Sequence, residues 1–212
     1  MNKKVETRGP NGKIDAAIRL VELDSLLGQR IRHRRRAIGL SLRELAERSG
    51  ISIGLLSQIE RGLSSPSVRV VAALADALSL SLGNLFTEES PTPTKSESST
   101  VTRAHSRKKL AFWRTGISKE LVTPQTDNPG LDIFIVVIEP GGTTGEQVYT
   151  HAGEEGGLVL EGELEITISG ETYRLNRGDG FRFESMKPHS FRNPGKGTTR
   201  VLWVNSPHSH NE

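Results

Sequence analysis

The sequence predicts a two-domain α + β protein: an all-α N-terminal bundle of four or five helices, then an all-β C-terminal domain. Three observations predict it. Before residue 87 apolar residues recur at helical spacing, as in Leu42, Leu45 and Ala46 and again in Val70, Val71, Leu74 and Leu78. Residues 87–100, TEESPTPTKSESST, hold almost nothing apolar, cannot bury a core and read as a linker. Beyond it, LDIFIVVIE, GLVLEGELEITI, ETYRL and TRVLWV are short alternating or apolar runs separated by Gly, Pro and Asn, the pattern of antiparallel strands. The expected boundaries are a tail over 1–22, a helical domain over 23–86, the linker over 87–104, a β domain over 105–208 and a tail over 209–212. A chain of 212 residues is long enough for two small cores.

The elements follow in order. Residues 1–22 carry no clear cap or turn signal, and two readings stay open: a disordered tail, or IDAAIRLVELD as an extension of the first helix. Gly39 is expected to stop that helix; Ser41 caps the second, with Glu44 three residues on as a capping box, and Gly50 ends it. Ser52 caps a third short helix that stops at Gly62, and Ser65-Pro66-Ser67 starts a fourth. Two short helices joined by a tight Gly-containing turn inside such a bundle have the helix-turn-helix layout. Leu45, Ala46, Leu55, Leu56, Ile59, Val70 and Leu74 are its expected core.

Charge supports that layout. The whole chain carries a net charge of +3, yet between Leu26 and Phe86 nine arginines face four carboxylates. Charge of one sign gathered in one half is the footprint of a nucleic-acid-binding module joined to something else. Arg43 at the start of the second helix, with Arg30 and Arg32 on the first, is placed for phosphates, which fix register without reading sequence. There are no cysteines, so disulfides and thiolate metal sites are excluded. No run approaches the roughly 18 apolar residues of a membrane span, and the N-terminus lacks the apolar segment of a signal peptide. The expected location is therefore the cytoplasm, with no membrane partner.

In the β half, Leu164, Ile166 and Ile168 share one strand face, turn at Ser169-Gly170 and return through Tyr173 and Leu175. The stretch HAGEEGGLVLEG, residues 151–162, raises the sharper question, because His151 and Glu155 offer metal-ligand chemistry. Neighbouring side chains on a strand point to opposite faces, so at most one of Glu154 and Glu155 is internal. Trp113, Arg114 and Arg182 are weaker candidates for an anionic or planar ligand, and His208 and His210 read as flexible ends.

Two resemblances sharpen the reading. The pattern L-S-x-x-E-L-A-x-x-S-G-I-S-x-x-x-L-S-Q-I-E-R-G-x-x-x-P-S, from Leu40 to Ser67, is similar to the phage-repressor-like (XRE) helix-turn-helix family. That resemblance implies that the helix from Ser52 to Arg61 lies in the major groove of double-stranded DNA, presenting Ser52, Ile53, Gly54, Ser57 and Gln58 to base edges. Ile53 and Gly54 offer no donor or acceptor, so readout there falls to thymine-methyl contact and DNA shape, while Ser57 and Gln58 can hydrogen-bond. It also implies a structural ion pair between Arg35 and Glu60, and a homodimer on a palindromic operator.

The β half resembles the cupin family, whose fold is a jelly-roll barrel. Of the first family motif His151, Glu155 and Gly162 are present, with Tyr149 where the family has its first His; of the second, Gly178, His189 and Asn193 are present, with Glu184 and Met186 where it has Pro and Gly. By resemblance His151, Glu155 and His189 point inward together, as a possible zinc or iron site, and with Tyr149 they form the effector pocket. A phenol is a much weaker ligand than imidazole, so Tyr149 counts against tight metal binding. The combination of the two halves resembles bacterial-type one-component transcriptional regulators, implying a DNA reader that senses a small molecule rather than an enzyme. The alternatives are a metal-dependent cupin dioxygenase or isomerase carrying a DNA-binding head, and a repressor whose barrel only dimerises.

Overall fold

The structure is a computed structural model and describes residues 10–80, 82–86, 100–112, 115–124, 130–145 and 147–206. Trp113, Arg114, His208, His210 and most of the linker lie outside the described residues. Among the described residues the N-terminal half has four α-helices, α1 (Pro10–Ala37), α2 (Leu42–Ser49), α3 (Ile53–Glu60) and α4 (Val68–Ala77), then a 3-10 turn, Gly83–Phe86. IDAAIRLVELD lies within α1, which opens on Pro10, a residue suited to the first helical turn.

Local chemistry sets the other helix ends. The Ser41 hydroxyl accepts from the Glu44 N–H while the Glu44 carboxylate accepts from the Ser41 N–H, closing the capping box. Gly50 ends α2 in the left-handed region, φ 66°. Ser52 accepts from the Leu55 N–H and Ser67 from the Val70 N–H; each such cap contributes about 1 kcal/mol. Leu27, Ile31, Leu45, Leu56, Ile59, Leu74 and Leu78 form the buried core, and Leu55 packs against its edge. α1 and α3 come into near backbone contact at Gly28, where a Cβ would stand 2.1 Å from the Ile59 carbonyl oxygen.

One buried ion pair locks the bundle. Arg35 Nε donates to Glu60 Oε1 at 2.6 Å and Nη2 to Oε2 at 2.9 Å, while Nη1 donates to the Leu40 carbonyl at 2.8 Å. The fork joins α1 to the end of α3 and satisfies the guanidinium on three sides.

Among the described residues the C-terminal half has nine strands: β1 (Lys109–Phe112), β2 (Ile117–Leu121), β3 (Asp132–Ile138), β4 (Glu154–Glu161), β5 (Glu163–Ile168), β6 (Glu171–Asn176), β7 (Gly180–Glu184), β8 (His189–Arg192) and β9 (Thr199–Ser206). They form a six-stranded sheet, β1-β2-β3-β9-β4-β7, and a three-stranded sheet, β6-β5-β8. The sheets face each other, with Phe191 of β8 against Trp203 of β9 at 4.7 Å between ring centroids. Among the described residues no continuous ladder closes the two sheets into one barrel. The β5–β6 hairpin pairs Leu164 with Leu175 and Ile166 with Tyr173, turning through Ser169 and Gly170, both at positive φ.

Antiparallel register places direct partners on one sheet face. Three inner rows matter below: Lys119, Val136, Val201 and Val159; then Leu121, Phe134, Trp203 and Gly157; then Asp132, Asn205, Glu155 and Phe183. The third row also meets the helical half. Asp132 is 2% exposed, and its Oδ2 accepts from the Gly83 N–H at 3.1 Å. Arg30 Nη1 donates to the Leu85 carbonyl at 2.7 Å, so the same turn is tied back to α1.

The ion pair yields a stability prediction. Glu60→Ala leaves the Arg35 guanidinium buried and unpaired and should cost about 3 kcal/mol or more of head stability. Urea denaturation followed by circular dichroism checks it; a loss under about 0.5 kcal/mol would contradict the assigned role.

Candidate functional site

Two sets of residues carry chemistry, one on the surface of the helical half and one inside the β half. On α3 the side chains of Ser52, Ile53 and Gln58 and the Gly54 backbone are exposed, Ile53 to 48%, and Ser57 is half-buried. Leu56, Ile59 and Glu60 on the opposite face are buried. This division follows from helical periodicity and leaves one continuous outward face. Ser52 has a second duty, since its oxygen caps α3.

The arginines separate by position. Arg32 is exposed on α1, and Arg43 is exposed on α2, held by Glu47 at 3.0 Å. Arg30 is half-buried with one Nη on Leu85, and Arg34 Nε donates to the Leu78 carbonyl at the end of α4. The run Arg34-Arg35-Arg36 is therefore not a uniform basic patch: two of its members stitch the bundle together.

Inside the β half, β4 brings Glu155 to the inner face and Glu154 to the outer, where Glu154 pairs with Arg182 at 2.8 Å. Tyr149 and His189 form a backbone bridge, each N–H donating to the other's carbonyl. The His151 N–H donates to the Ser185 carbonyl, which seats the loop beside the end of β7. His151 Nε2 then stands 3.2 Å from Glu155 Oε1 and His189 Nε2 3.6 Å from Glu155 Oε2. Tyr149 stacks over this group, its ring centroid 4.2 Å from that of His189 and 6.1 Å from that of His151.

Hydrogen bonding fixes the imidazole tautomers. His151 Nδ1 lies 3.0 Å from the Ala152 carbonyl and His189 Nδ1 2.8 Å from the Lys187 carbonyl. A carbonyl only accepts, so both Nδ1 atoms donate, and in the neutral rings both Nε2 atoms are lone pairs aimed at a carboxylate. Two lone pairs against an anion repel unless a proton or a cation lies between. Accordingly Glu155 Oε2 and His189 Nε2 are buried without a partner. The three ligand atoms lie within 4.8 Å of one another, and the backbone-anchored Nδ1 atoms match the outer-sphere support usual for metal-bound His.

Electrostatics agree. Burial alone would raise the Glu155 pKa, but the hydrogen bond and charge of His151, with Lys119 and His189, hold it below the ordinary carboxylate range. Burial lowers His151, and its bond to Glu155 more than reverses this, so it stands raised. Burial leaves His189 lowered and Tyr149 well raised, so the phenol stays neutral.

The remaining motif residues are structural. Asn193 Nδ2 donates to the Ile138 and Gly197 carbonyls while its Oδ1 accepts from Gly195, closing the loop between β8 and β9. Sequence reasoning passed over Lys119, Ser185, Trp203 and Asn205, all inward on the β half, although the alternation Ile117-x-Lys119-x-Leu121 carried the signal for Lys119.

Comparison with known proteins matches both halves. A helix-turn-helix domain family covers residues 26–85 and a cupin domain family residues 134–205. The HTH-type transcriptional regulator PuuR of Escherichia coli is 34% identical over 180 residues, 85% of this chain and 94% of that protein. The HTH-type transcriptional regulator SutR of the same organism is 27% identical over 177 residues, 83% of this chain and 92% of that one. A solved HTH_3 family transcriptional regulator from Vibrio cholerae shares the fold at a TM-score of 0.70 and 23% identity, covering 89% of this chain and 99% of that one. With an exposed recognition-type helix in one half and a buried His–Glu–His cluster in the other, the chain belongs to the family of helix-turn-helix transcriptional regulators that carry a C-terminal cupin domain.

Proposed function

We propose that the chain reads operator DNA through α3 and that its cupin domain senses a small molecule at Tyr149, His151, Glu155 and His189. In this reading Ser52, Ile53, Gly54, Ser57 and Gln58 meet base edges, and Arg32 and Arg43 meet phosphates, with Arg30 beside them at the seam with the 3-10 turn. The protein acts in the cytoplasm as a homodimer on a palindromic operator, whose half-sites stand about 34 Å apart, one helical turn. Among the described residues no helix is long and apolar enough to cross a membrane.

The observation that carries the sensing role is the row Glu155, Asn205, Asp132. The cluster and the docking carboxylate share one face of one sheet with a single residue between them, and Asp132 holds the turn that α1 also grips. A ligand that repositions Glu155 acts on a rigid β ladder, so its differential affinity for two head positions has a physical route that bypasses the polar linker.

The His151, Glu155 and His189 donors fit a divalent ion such as zinc or iron, which would supply an open coordination position for a ligand. That same donor set supports a second reading, a metal-dependent dioxygenase or isomerase with a DNA-binding head. Under the first reading the ion and Tyr149 shape a binding pocket, and no turnover is required.

Arg43→Ala should weaken binding to all DNA sequences alike and lower the slope of log affinity against log salt by about one unit, whereas Ser57→Ala should change which base is preferred. Sequencing the genomic fragments retained by each protein, with fluorescence anisotropy in graded salt, reads both effects; equal losses on every base variant for both substitutions would contradict the roles. Asp132→Ala should leave ligand-free operator affinity within a few-fold of the parent and abolish a ligand-dependent change of about 5- to 150-fold. A full response in that variant would rule out the route. Elemental analysis should find transition metal in the purified protein, reduced about tenfold or more in His151→Ala; unchanged content would remove this ligand set.

A further inference from the structure

One buried charge in the cupin domain has no partner in the cluster. Lys119 is 2% exposed on the inner face of β2, in a row with Val136, Val201 and Val159. An ammonium among three valines loses hydration and gains nothing there in return. Its Nζ leans instead over the next row, 5.6 Å from the Phe134 ring centroid and 5.7 Å from that of Trp203, within the range at which a cation gains from a ring face. Lys119 makes no hydrogen bond or ion pair among the described residues. Burial lowers its pKa, and attraction to Glu155, one row beyond, partly offsets that.

The unsatisfied atoms of the β half sort by polarity. Buried without a hydrogen-bond partner among the described residues are Glu155 Oε2, His189 Nε2, Asn205 Oδ1, Ser185 Oγ, Trp203 Nε1 and Arg107 Nε. Glu155 Oε2 and His189 Nε2 are the acceptors that a cation takes. Among the donors that remain, the Trp203 N–H is borne by the ring whose face the Lys119 Nζ covers, 5.7 Å from its centroid. A water could satisfy Trp203, but it would bring no negative charge to the ammonium, which Glu155 offsets only in part. A buried ammonium with no ion-pair partner, beside a ring whose N–H is also buried without an acceptor, is completed by an anionic acceptor. With a divalent ion held by the His–Glu–His set, the interior would carry that ion and an ammonium against the Glu155 carboxylate and the more distant Asp132, already engaged by the Gly83 N–H, which still leaves net positive charge and favours an anion.

We propose that Lys119, assisted by Trp203 Nε1, anchors the carboxylate of a small organic acid, and that such acids are the effector class of this domain. The inference rests on the sensing reading above and names its ligand chemistry. The acid places one carboxylate on Lys119 and turns its other polar end toward His151, Glu155 and His189.

Isothermal titration of the full-length protein, metal-free and zinc-loaded, tests it with succinate, glutarate and lactate against succinamide and n-butylamine. At least one acid should bind more tightly than both the amide and the amine, and Lys119→Met should weaken that binding about tenfold or more. Lys119→Met keeps the side-chain volume and removes an unpaired buried charge, so it should melt no lower than the parent. The proposal is overturned if none of the acids binds, if the amide or the amine binds more tightly, if Lys119→Met binds the acid unchanged, or if it melts several degrees lower. An acid that binds through Lys119 yet leaves operator affinity unaltered would sink the sensing role and spare the anchor. A neutral or cationic compound that binds and changes operator affinity would do the reverse.

Discussion

Glu155 sets the terms for the cupin half. A carboxylate 3% exposed on the inner face of a sheet is stable only when its charge is answered, and the fold answers it with His151 and His189, Lys119 adding only a weaker attraction from one row away. The two imidazoles cannot do so as simple neutral donors, because each spends its Nδ1 proton on a backbone carbonyl. The cluster is therefore poised between a protonated form, in which His151 carries the compensating charge, and a cation-bound form. Glu155 Oε2 and His189 Nε2 in the cluster, with Trp203 Nε1 and Asn205 Oδ1 elsewhere on the inner face, are buried without hydrogen-bond partners among the described residues.

The helical half is built on the opposite logic. The Arg35–Glu60 fork is hydrogen-bonded on all three guanidinium nitrogens and fixes α3 against α1, so the exposed face of α3 is presented by a rigid frame. Near contact at Gly28 serves the same end. Between the halves stands the Gly83–Phe86 turn, gripped by Asp132 on one side and Arg30 on the other. A stretch that reads as a loose tether in sequence is thus preceded by a docked joint, the mechanical route on which the proposed sensing role relies.

Much of this was legible in advance because the residues involved act locally. Serine caps at 41, 52 and 67, helical spacing in the core and the Ser169-Gly170 hairpin depend on neighbours a few positions away, and they read directly from the chain. The motif positions His151, Glu155 and His189 converge, although the last is 34 positions beyond Glu155, and only the resemblance to a known barrel made that visible. Residues defined by cross-sheet register were not legible. Lys119, Asn205 and Asp132 gain their meaning from strands β2, β9 and β3 lying in a particular order, which alternation within one strand does not reveal. Arg30 illustrates the same limit: its charge suggested phosphate, whereas one of its Nη atoms serves the joint.

The proposed sensing role requires that occupancy of the buried cluster be felt at the joint to the DNA-binding head. Hydrogen exchange at the Gly83 amide, which donates to Asp132, reports on this directly. Saturating the full-length protein with zinc, or with an acid shown to bind through Lys119, should change the exchange rate of that amide together with those of β4 and β9. Changes confined to the loop around His151 and to β8, with Gly83 exchanging as before, would contradict the account.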